Sequence, residues 1–231
     1  MTFSESLSLI WQTFRYPNQA AQQLQIKGVT WLPLFALAIL LYLLFHSYFS
    51  HVDIDWYREY ATAPLAEQFA PDRLAEIKQN MQPSTLSISM TVAGFLENLL
   101  IFAVFALYLH ILAQLSKVKT IFFADWWRLV VWSAWPKIIG LIPAIVYLSV
   151  STNSQIPLDQ IQPLALTTWL DIESHSLKTA LGLLNPFELW SLGLAVMFYR
   201  QWMNVSRLKS AVIILGPHIL FIAYLAASHT P

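Results

Sequence analysis

The sequence predicts an all-α, polytopic transmembrane helical bundle with five spans, a cytoplasmic N-terminus and a C-terminus outside. Three observations support this fold class. Of the 231 residues, 57% are hydrophobic and 11% are charged, whereas soluble domains carry about 25% charged residues. Five apolar stretches each approach the roughly 20 residues that cross a hydrocarbon core. Lysine and arginine are concentrated on one side of these stretches.

Residues 1–28 are predicted to form an amphipathic segment at the cytoplasmic interface. Large apolar side chains recur there at helical spacing: Phe3, Leu7, Ile10, Trp11 and Phe14. Pro17 separates this first helix from a second short helical stretch. Because the segment is too polar to span the bilayer, we expect amphipathic helices that lie on the membrane surface.

The membrane domain is predicted over residues 29–227, followed by an outer tail at 228–231. Its five spans are placed at 29–49, 88–115, 128–150, 186–203 and 211–227. Two long outer loops, at 51–87 and 151–185, are expected to contain short helices. No internal repeat is found, so the sequence does not favour the tandem-repeat transporters.

The orientation follows from the basic residues, which are more numerous in cytoplasmic loops. One side of the predicted bundle carries eight of them: Arg15, Lys27, Lys117, Lys119, Arg128, Arg200, Arg207 and Lys209. The other side carries four, in spite of its longer loops: Arg58, Arg73, Lys78 and Lys178. The first side, which includes the N-terminus, is therefore predicted to be cytoplasmic.

Five polar residues lie inside the predicted spans: Glu97, Asn98, His110, Lys137 and His218. Glu97 and Lys137 are expected at a similar depth, about 14 Å from the nearest end of their spans. An unpaired charge there costs about 2.5 to 3.5 kcal/mol or more, which suggests an ion pair that Asn98 assists. The pair could stabilise the bundle or form part of a proton or ion path. The two histidines are expected to hydrogen-bond between helices.

Prolines and tryptophans mark two further features of the spans. Helix breaks are predicted at Pro136, Pro143 and Pro217. Four tryptophans near the start of the third span exceed what an interfacial belt needs, and they are a candidate partner contact: Trp126, Trp127, Trp132 and Trp135. Trp190 is expected to anchor the outer end of the fourth span.

Composition and motifs argue against an enzyme. The chain has no cysteine and a formal net charge of zero, so neither thiol chemistry nor a nucleic-acid partner is expected. The phosphate loops, nucleophile elbows and metal-binding helix motifs of known enzymes are absent from the sequence. We therefore predict no catalytic, metal or cofactor-binding residue, and we interpret His51, Asp53 and Asp55 as a solvated turn.

Three segments resemble bacterial members of the Yip-domain family, whose eukaryotic relatives are Rab-GTPase-interacting membrane proteins. The first is Leu9 to Ala21, and the second runs from Phe123 to Pro136. The third, Leu184 to Trp190, is similar to the family's aspartate-proline-phenylalanine block. This chain has Asn185 where an acid is commoner, followed by Pro186 and Phe187.

The resemblance implies a non-enzymatic accessory or scaffold protein in the inner (plasma) membrane of a bacterium. Such a protein binds membrane lipids and organises another integral membrane complex. An exporter of the ABC class is an example of such a complex. Self-association stays open. One alternative is a small transporter or channel with Glu97, Lys137 and His218 along a polar path. A further alternative is lipid handling by the amphipathic segments.

Overall fold

The computed structural model describes residues 3–27, 30–116, 121–170, 175–182 and 184–228, and the regular structure in these ranges is helical. The helices in chain order are α1 (Phe3–Arg15), α2 (Pro17–Lys27), α3 (Trp31–His51), α4 (Ile54–Thr62), α5 (Pro71–Asn80), α6 (Pro83–Leu115), α7 (Phe123–Ser133), α8 (Trp135–Ile139), α9 (Ile142–Val150), α10 (Leu166–Trp169), α11 (His175–Gly182), α12 (Pro186–Met203) and α13 (Arg207–Ser228). Lys117, Lys119 and residues 229–231 of the predicted outer tail lie outside the described residues.

Helices occur at all five predicted spans, but they differ in their fitness to cross a membrane. By length and composition, α3, α6 and α13 can cross the bilayer. The helix α7 and the segment Trp135–Val150, which meet at a 41° bend, add a fourth if the two together make one span rather than a re-entrant loop. The described residues therefore provide three or four candidate spans. The remaining helix, α12, has only 18 residues and includes Glu188 and Arg200.

The chain divides into two compact units. The larger unit comprises Met1–Leu37, Asn98–Gly140 and Leu164–Pro231, and the smaller unit comprises Ala38–Glu97 and Leu141–Pro163. Within the larger unit α12 is the central helix, because it packs against α2, α7, α8 and α13. Its Phe198 and Tyr199 are almost completely buried.

The N-terminal segment forms two helices, and Pro17 begins the second, as predicted. The placement of the segment at the membrane interface stays a prediction, and side chains of α12 and α7 hold α2 within the larger unit. Trp202 Nε1 donates a hydrogen bond of 2.8 Å to Ala21 O, and Arg128 Nη1 donates one of 2.9 Å to Leu24 O. Arg128 thus satisfies a carbonyl in the last turn of α2, where intrahelical donors run out.

Helix α1 has a buried face and an exposed apolar edge. Leu9 and Thr13 are fully buried, whereas Leu7 and Trp11 are exposed. Near its end, the ring of Phe14 lies edge-on to that of Trp190, with centroids 5.1 Å apart. Within the larger unit the end of α1 therefore lies beside the first half of α12.

The smaller unit has its own core, in which the Tyr48 ring is fully buried and its hydroxyl donates a 2.8 Å hydrogen bond to Ile156 O. The side chain of Asp53 accepts from the amides of Asp55 and Trp56 and so caps α4. Burial raises the pKa of Tyr57, in α4, above the ordinary tyrosine value. The 51–87 loop is helical as predicted.

Candidate functional site

A break in the third predicted span brings polar groups of α8 and α12 together. Helix α7 ends at Ser133, and Pro136 stands in the first turn of α8. The amide of Lys137 lies in this first turn, where helical acceptors are missing. It donates a hydrogen bond of 2.9 Å to Ser191 Oγ of α12. A backbone group freed by the break is thus satisfied by a neighbouring helix.

The ion pair at this junction joins Lys137 to Glu188. Lys137 Nζ lies 3.6 Å from Glu188 Oε2, and both side chains are partly buried. The predicted partner was Glu97, whose side chain is exposed on α6. The prediction was wrong because it considered only charges near the middle of the spans. Glu188 lies in the first turn of α12, where an acid also interacts favourably with the helix dipole.

Asn185 fixes the start of α12. Its Oδ1 accepts hydrogen bonds from the amides of Phe187, at 3.0 Å, and Glu188, at 2.9 Å. Pro186 occupies the first turn, where its missing amide costs nothing. An aspartate would cap the helix through the same kind of oxygen. The departure from the family's acidic residue therefore preserves the helix cap while removing a charge.

A close contact between Gly140 and Phe187 positions the two helices. A Cβ atom added at Gly140 would lie 2.9 Å from Phe187 Cβ and 3.1 Å from Lys137 O. Real Cβ atoms do not approach other atoms so closely, so only glycine fits here. The segment around Pro186 therefore meets Lys137 and Gly140, which directly follow the segment that ends at Pro136. We call this contact the α8–α12 junction.

The tryptophan-rich segment is core rather than a partner contact. Trp126 and Trp132 are fully buried, and Trp135 is 6% exposed. The Trp126 ring lies 5.6 Å from that of Tyr199 and 5.8 Å from that of Trp202. The prediction of a partner contact is therefore wrong for these three. The fourth, Trp127, is half-buried.

The prolines of the later spans differ in their effect. Pro143 stands in the first turn of α9, so a break occurs there as predicted. Pro217, by contrast, lies inside the continuous helix α13. Proline cannot donate to the carbonyl four residues earlier, and this carbonyl, Ile213 O, accepts a 3.1 Å hydrogen bond from the Tyr108 hydroxyl. Sequence reasoning missed Tyr108, although its place within a span was a usable signal.

The two intramembrane histidines make different contacts. His218 Nδ1 lies 2.9 Å from Ile214 O of its own helix, and its ring packs edge-on against Phe105. The ring of His110 packs edge-on against Phe123. Its Nδ1 is buried and has no hydrogen-bond partner among the described residues. Neither contact is the interhelical hydrogen bond that the sequence predicted for both.

The smaller unit contains an open groove of about 620 Å³, lined by polar residues that include Asp55, Arg58, Glu59 and Lys78. Arg58 pairs with Asp55 at 2.8 Å and donates to Met81 O, while Lys78 pairs with Glu59 at 2.6 Å. These charges are therefore used to join α4 to α5 and to Met81, the residue that follows α5. No group of metal-ligating side chains occurs among the described residues.

The apolar helices and the partly buried ion pair that joins two of them define a helical membrane protein. The family follows from comparison with known proteins: the model of the Yip1 domain matches residues 11–228, so the chain belongs to the Yip1-domain family. The match includes both segments of the α8–α12 junction. Comparisons with curated proteins and with solved structures returned no match.

Proposed function

We propose that this Yip1-domain protein is a non-enzymatic accessory or scaffold protein that binds and organises another integral membrane complex. An exporter of the ABC class is the candidate complex. The observation that supports this proposal is the α8–α12 junction, where the Lys137 ammonium pairs with Glu188 and the Lys137 amide donates to Ser191. Polar groups that are bonded to each other stabilise helix packing. The surface that binds a partner then lies on the outside of the bundle.

The same junction argues against a transport path. A path for ions or protons needs polar groups that face a water-filled space. Lys137 is paired with Glu188, and His218 is bonded to its own helix.

The outer surfaces of the apolar helices are largely exposed. Only 11% of the span window in α13 and 17% of that in α6 is buried, which leaves wide apolar faces for lipid and for a partner.

The proposed topology has five spans, with the N-terminus in the cytoplasm and the C-terminus outside a bacterial inner membrane. The fourth span in chain order is α12, which is less apolar than the others. Its position at the centre of the larger unit supports this assignment, because α2, α7, α8 and α13 shield much of its surface. A central helix tolerates a paired charge that a lipid-facing helix does not.

The topology is tested by labelling single cysteines in this cysteine-free chain. Thr152→Cys, in an exposed outer loop, should react with a membrane-impermeant maleimide in intact cells. Gln201→Cys, exposed near the end of α12, should react only after permeabilisation. The opposite pattern would contradict the proposed orientation.

The scaffold role is tested by affinity purification of the tagged chain from its native membrane in mild detergent, with quantitative mass spectrometry. We expect another integral membrane protein at a stoichiometric level. The matched variants are Gly140→Ala, which disturbs the α8–α12 junction, and Gly193→Ala, whose added Cβ meets nothing within 4 Å. The partner should be lost with the first variant and retained with the second. Recovery of the chain alone would reject the proposal, and equal recovery of the partner with both variants would show that partner binding does not depend on the α8–α12 junction.

A lipid-handling role is the second candidate, and the exposed edge of α1 favours it. Trp11 is 61% exposed, and the Arg15 guanidinium lies 5.6 Å from the centre of its ring. An aromatic side chain beside a cation suits the lipid headgroup region. In proteoliposomes, Trp11→Glu should slow the transbilayer movement of a labelled phospholipid. A wild-type rate equal to that of protein-free vesicles would exclude this candidate.

A further inference from the structure

The connection between α12 and α13, both in the larger unit, carries three exposed basic side chains, which we call the basic turn. Arg200 lies in the last turn of α12, and Arg207 and Lys209 lie in the first turn of α13. The two helices are joined here by a hydrogen bond of 2.6 Å from Ser210 Oγ to Val196 O. Arg200 lies one helical turn after Val196, and Arg207 lies about one turn before Ser210. The two arginines therefore stand at a similar level, beyond this bond.

The backbone of the basic turn is well defined. Asn204 ends α12 in the left-handed conformation, with φ 48° and ψ 48°, which asparagine adopts more readily than most residues. At the start of α13 the Lys209 amide donates a hydrogen bond of 3.3 Å to Ser206 Oγ. The three cations are thus presented by a tight connection between two packed helices.

These cations have no countercharge in the part of the chain that the structure describes. None of them forms an ion pair within 4 Å there. The carboxylate of Asp125 is already paired with Arg128, and that of Glu188 is paired with Lys137. Helix α13 itself contains no acidic residue. A negatively charged group of another molecule therefore fits this turn.

Helix α13 places the basic turn at a membrane surface. Its candidate span, Arg207–Ala227, has 21 residues and so a length of about 32 Å, close to the roughly 30 Å of a hydrocarbon core. Both of its ends then lie at the level of the lipid headgroups. Leu208 is 76% exposed, and Val212, one turn further, is 63% exposed. The apolar outer surface of α13 therefore begins directly beside the basic side chains.

We propose that the basic turn binds the phosphate groups of anionic phospholipids, with Leu208 against their acyl chains. A phospholipid matches both features of the turn, whereas free phosphate or an acidic peptide would use the charges alone. Guanidinium groups also suit phosphate, because they can donate two parallel hydrogen bonds to its oxygens. Since three cations exceed the charge of one phosphate, a lipid with two phosphates should bind most tightly. This site does not depend on the proposed accessory role.

The test titrates the purified full chain, in a neutral detergent, with cardiolipin, phosphatidylglycerol or phosphatidylcholine, and counts the bound lipids by native mass spectrometry. We expect affinity to decrease in that order. Arg207→Gln/Lys209→Gln should weaken cardiolipin binding roughly thirtyfold, from about a fivefold contribution of each basic residue at a membrane surface. The matched control is Arg73→Gln/Lys178→Gln, which removes two exposed positive charges elsewhere. It should leave cardiolipin binding almost unchanged.

Two further measurements separate charge from folding and lipid from other anions. Arg207→Lys/Lys209→Arg keeps both charges and should retain most of the cardiolipin binding. Neither glycerol 3-phosphate nor a polyglutamate peptide should displace the bound lipid. Displacement would overturn the proposal in favour of a free phosphate or an acidic protein segment. Equal losses in the two glutamine double variants, or equal binding of cardiolipin and phosphatidylcholine by the unmodified chain, would also overturn it.

Discussion

Pro136 and Pro217 both interrupt the backbone bonding of a predicted span, with different results. At Pro136 the helix breaks, and the Lys137 amide turns to Ser191 on α12. The amide of Ala134 closes the last turn of α7 instead, by donating a 3.2 Å hydrogen bond to Val130 O. At Pro217 the helix continues, and the freed carbonyl of Ile213 accepts from Tyr108 on α6.

The two prolines show that a neighbouring helix, as well as the proline itself, determines whether a helix breaks or continues. In hydrocarbon a backbone group without a partner costs several kcal/mol, so a supplied donor or acceptor can stabilise either a break or a continuous helix. Ser191 supplies an acceptor to the broken span, whereas Tyr108 supplies a donor to the intact one. Ser191 and Tyr108 can be substituted separately, so the effect of each on stability can be measured.

The largest effect is expected for Gly140→Ala, which separates the helices at the break. The added methyl group overlaps Phe187 and Lys137 O, and overpacking of this kind costs about 1 to 3 kcal/mol. The measurement is the free energy of unfolding in mixed micelles with a titrated denaturing detergent. Gly193→Ala is the control, and because its Cβ is unobstructed it should stabilise the helix by about 0.5 to 1 kcal/mol. Equal effects of the two substitutions would contradict the close contact.

Ser191→Ala should have the next largest effect, because it leaves the Lys137 amide without its acceptor. A buried donor that loses its partner costs about 1 to 3 kcal/mol. Ser149→Ala serves as control, since the Ser149 hydroxyl bonds to Val146 O of its own helix and is exposed. The control should change the free energy of unfolding by less than about 0.5 kcal/mol. A neutral Ser191→Ala would show that another group satisfies the amide.

Tyr108→Phe should have the smallest effect, about 1 kcal/mol, because it removes one hydrogen bond to Ile213 O. A double-mutant cycle with Pro217→Ala sharpens this prediction. The Pro217→Ala chain regains an amide that can bond to Ile213 O, so Tyr108→Phe should cost almost nothing in that background. The expected coupling is about 0.5 to 1 kcal/mol. Additive effects would mean that Tyr108 does not compensate for the proline.

Hydropathy and helical spacing predicted much of the fold correctly. The predicted segment 186–203 coincides with the helix α12, although α12 is not among the candidate spans, and Pro17 separates α1 from α2 as expected. The resemblance also identified the family, because its segments around Pro136 and Pro186 are local in sequence. The contact between those segments was not predictable, since it depends on how α12 returns to α8.

The errors concern partners that lie far apart in the chain. Lys137 was paired with Glu97 by depth alone, but its partner Glu188 is positioned by the Asn185 cap at the start of α12. Trp126 was interpreted as surface because tryptophans are common at membrane interfaces. It is buried because Tyr199 and Trp202 lie across from it. Periodicity does not reveal which helix covers which face.

The central claim is that the α8–α12 junction is closed by its own polar groups and does not line a water path. The most direct test is Ser191→Cys in the cysteine-free chain, reacted in bilayers with a small water-soluble thiol reagent, with Thr152→Cys as the accessible reference. Since Ser191 is only 7% exposed, we predict that its cysteine reacts at least a hundredfold more slowly than the reference. Comparable rates at the two positions would contradict the account and favour a transport path through Lys137.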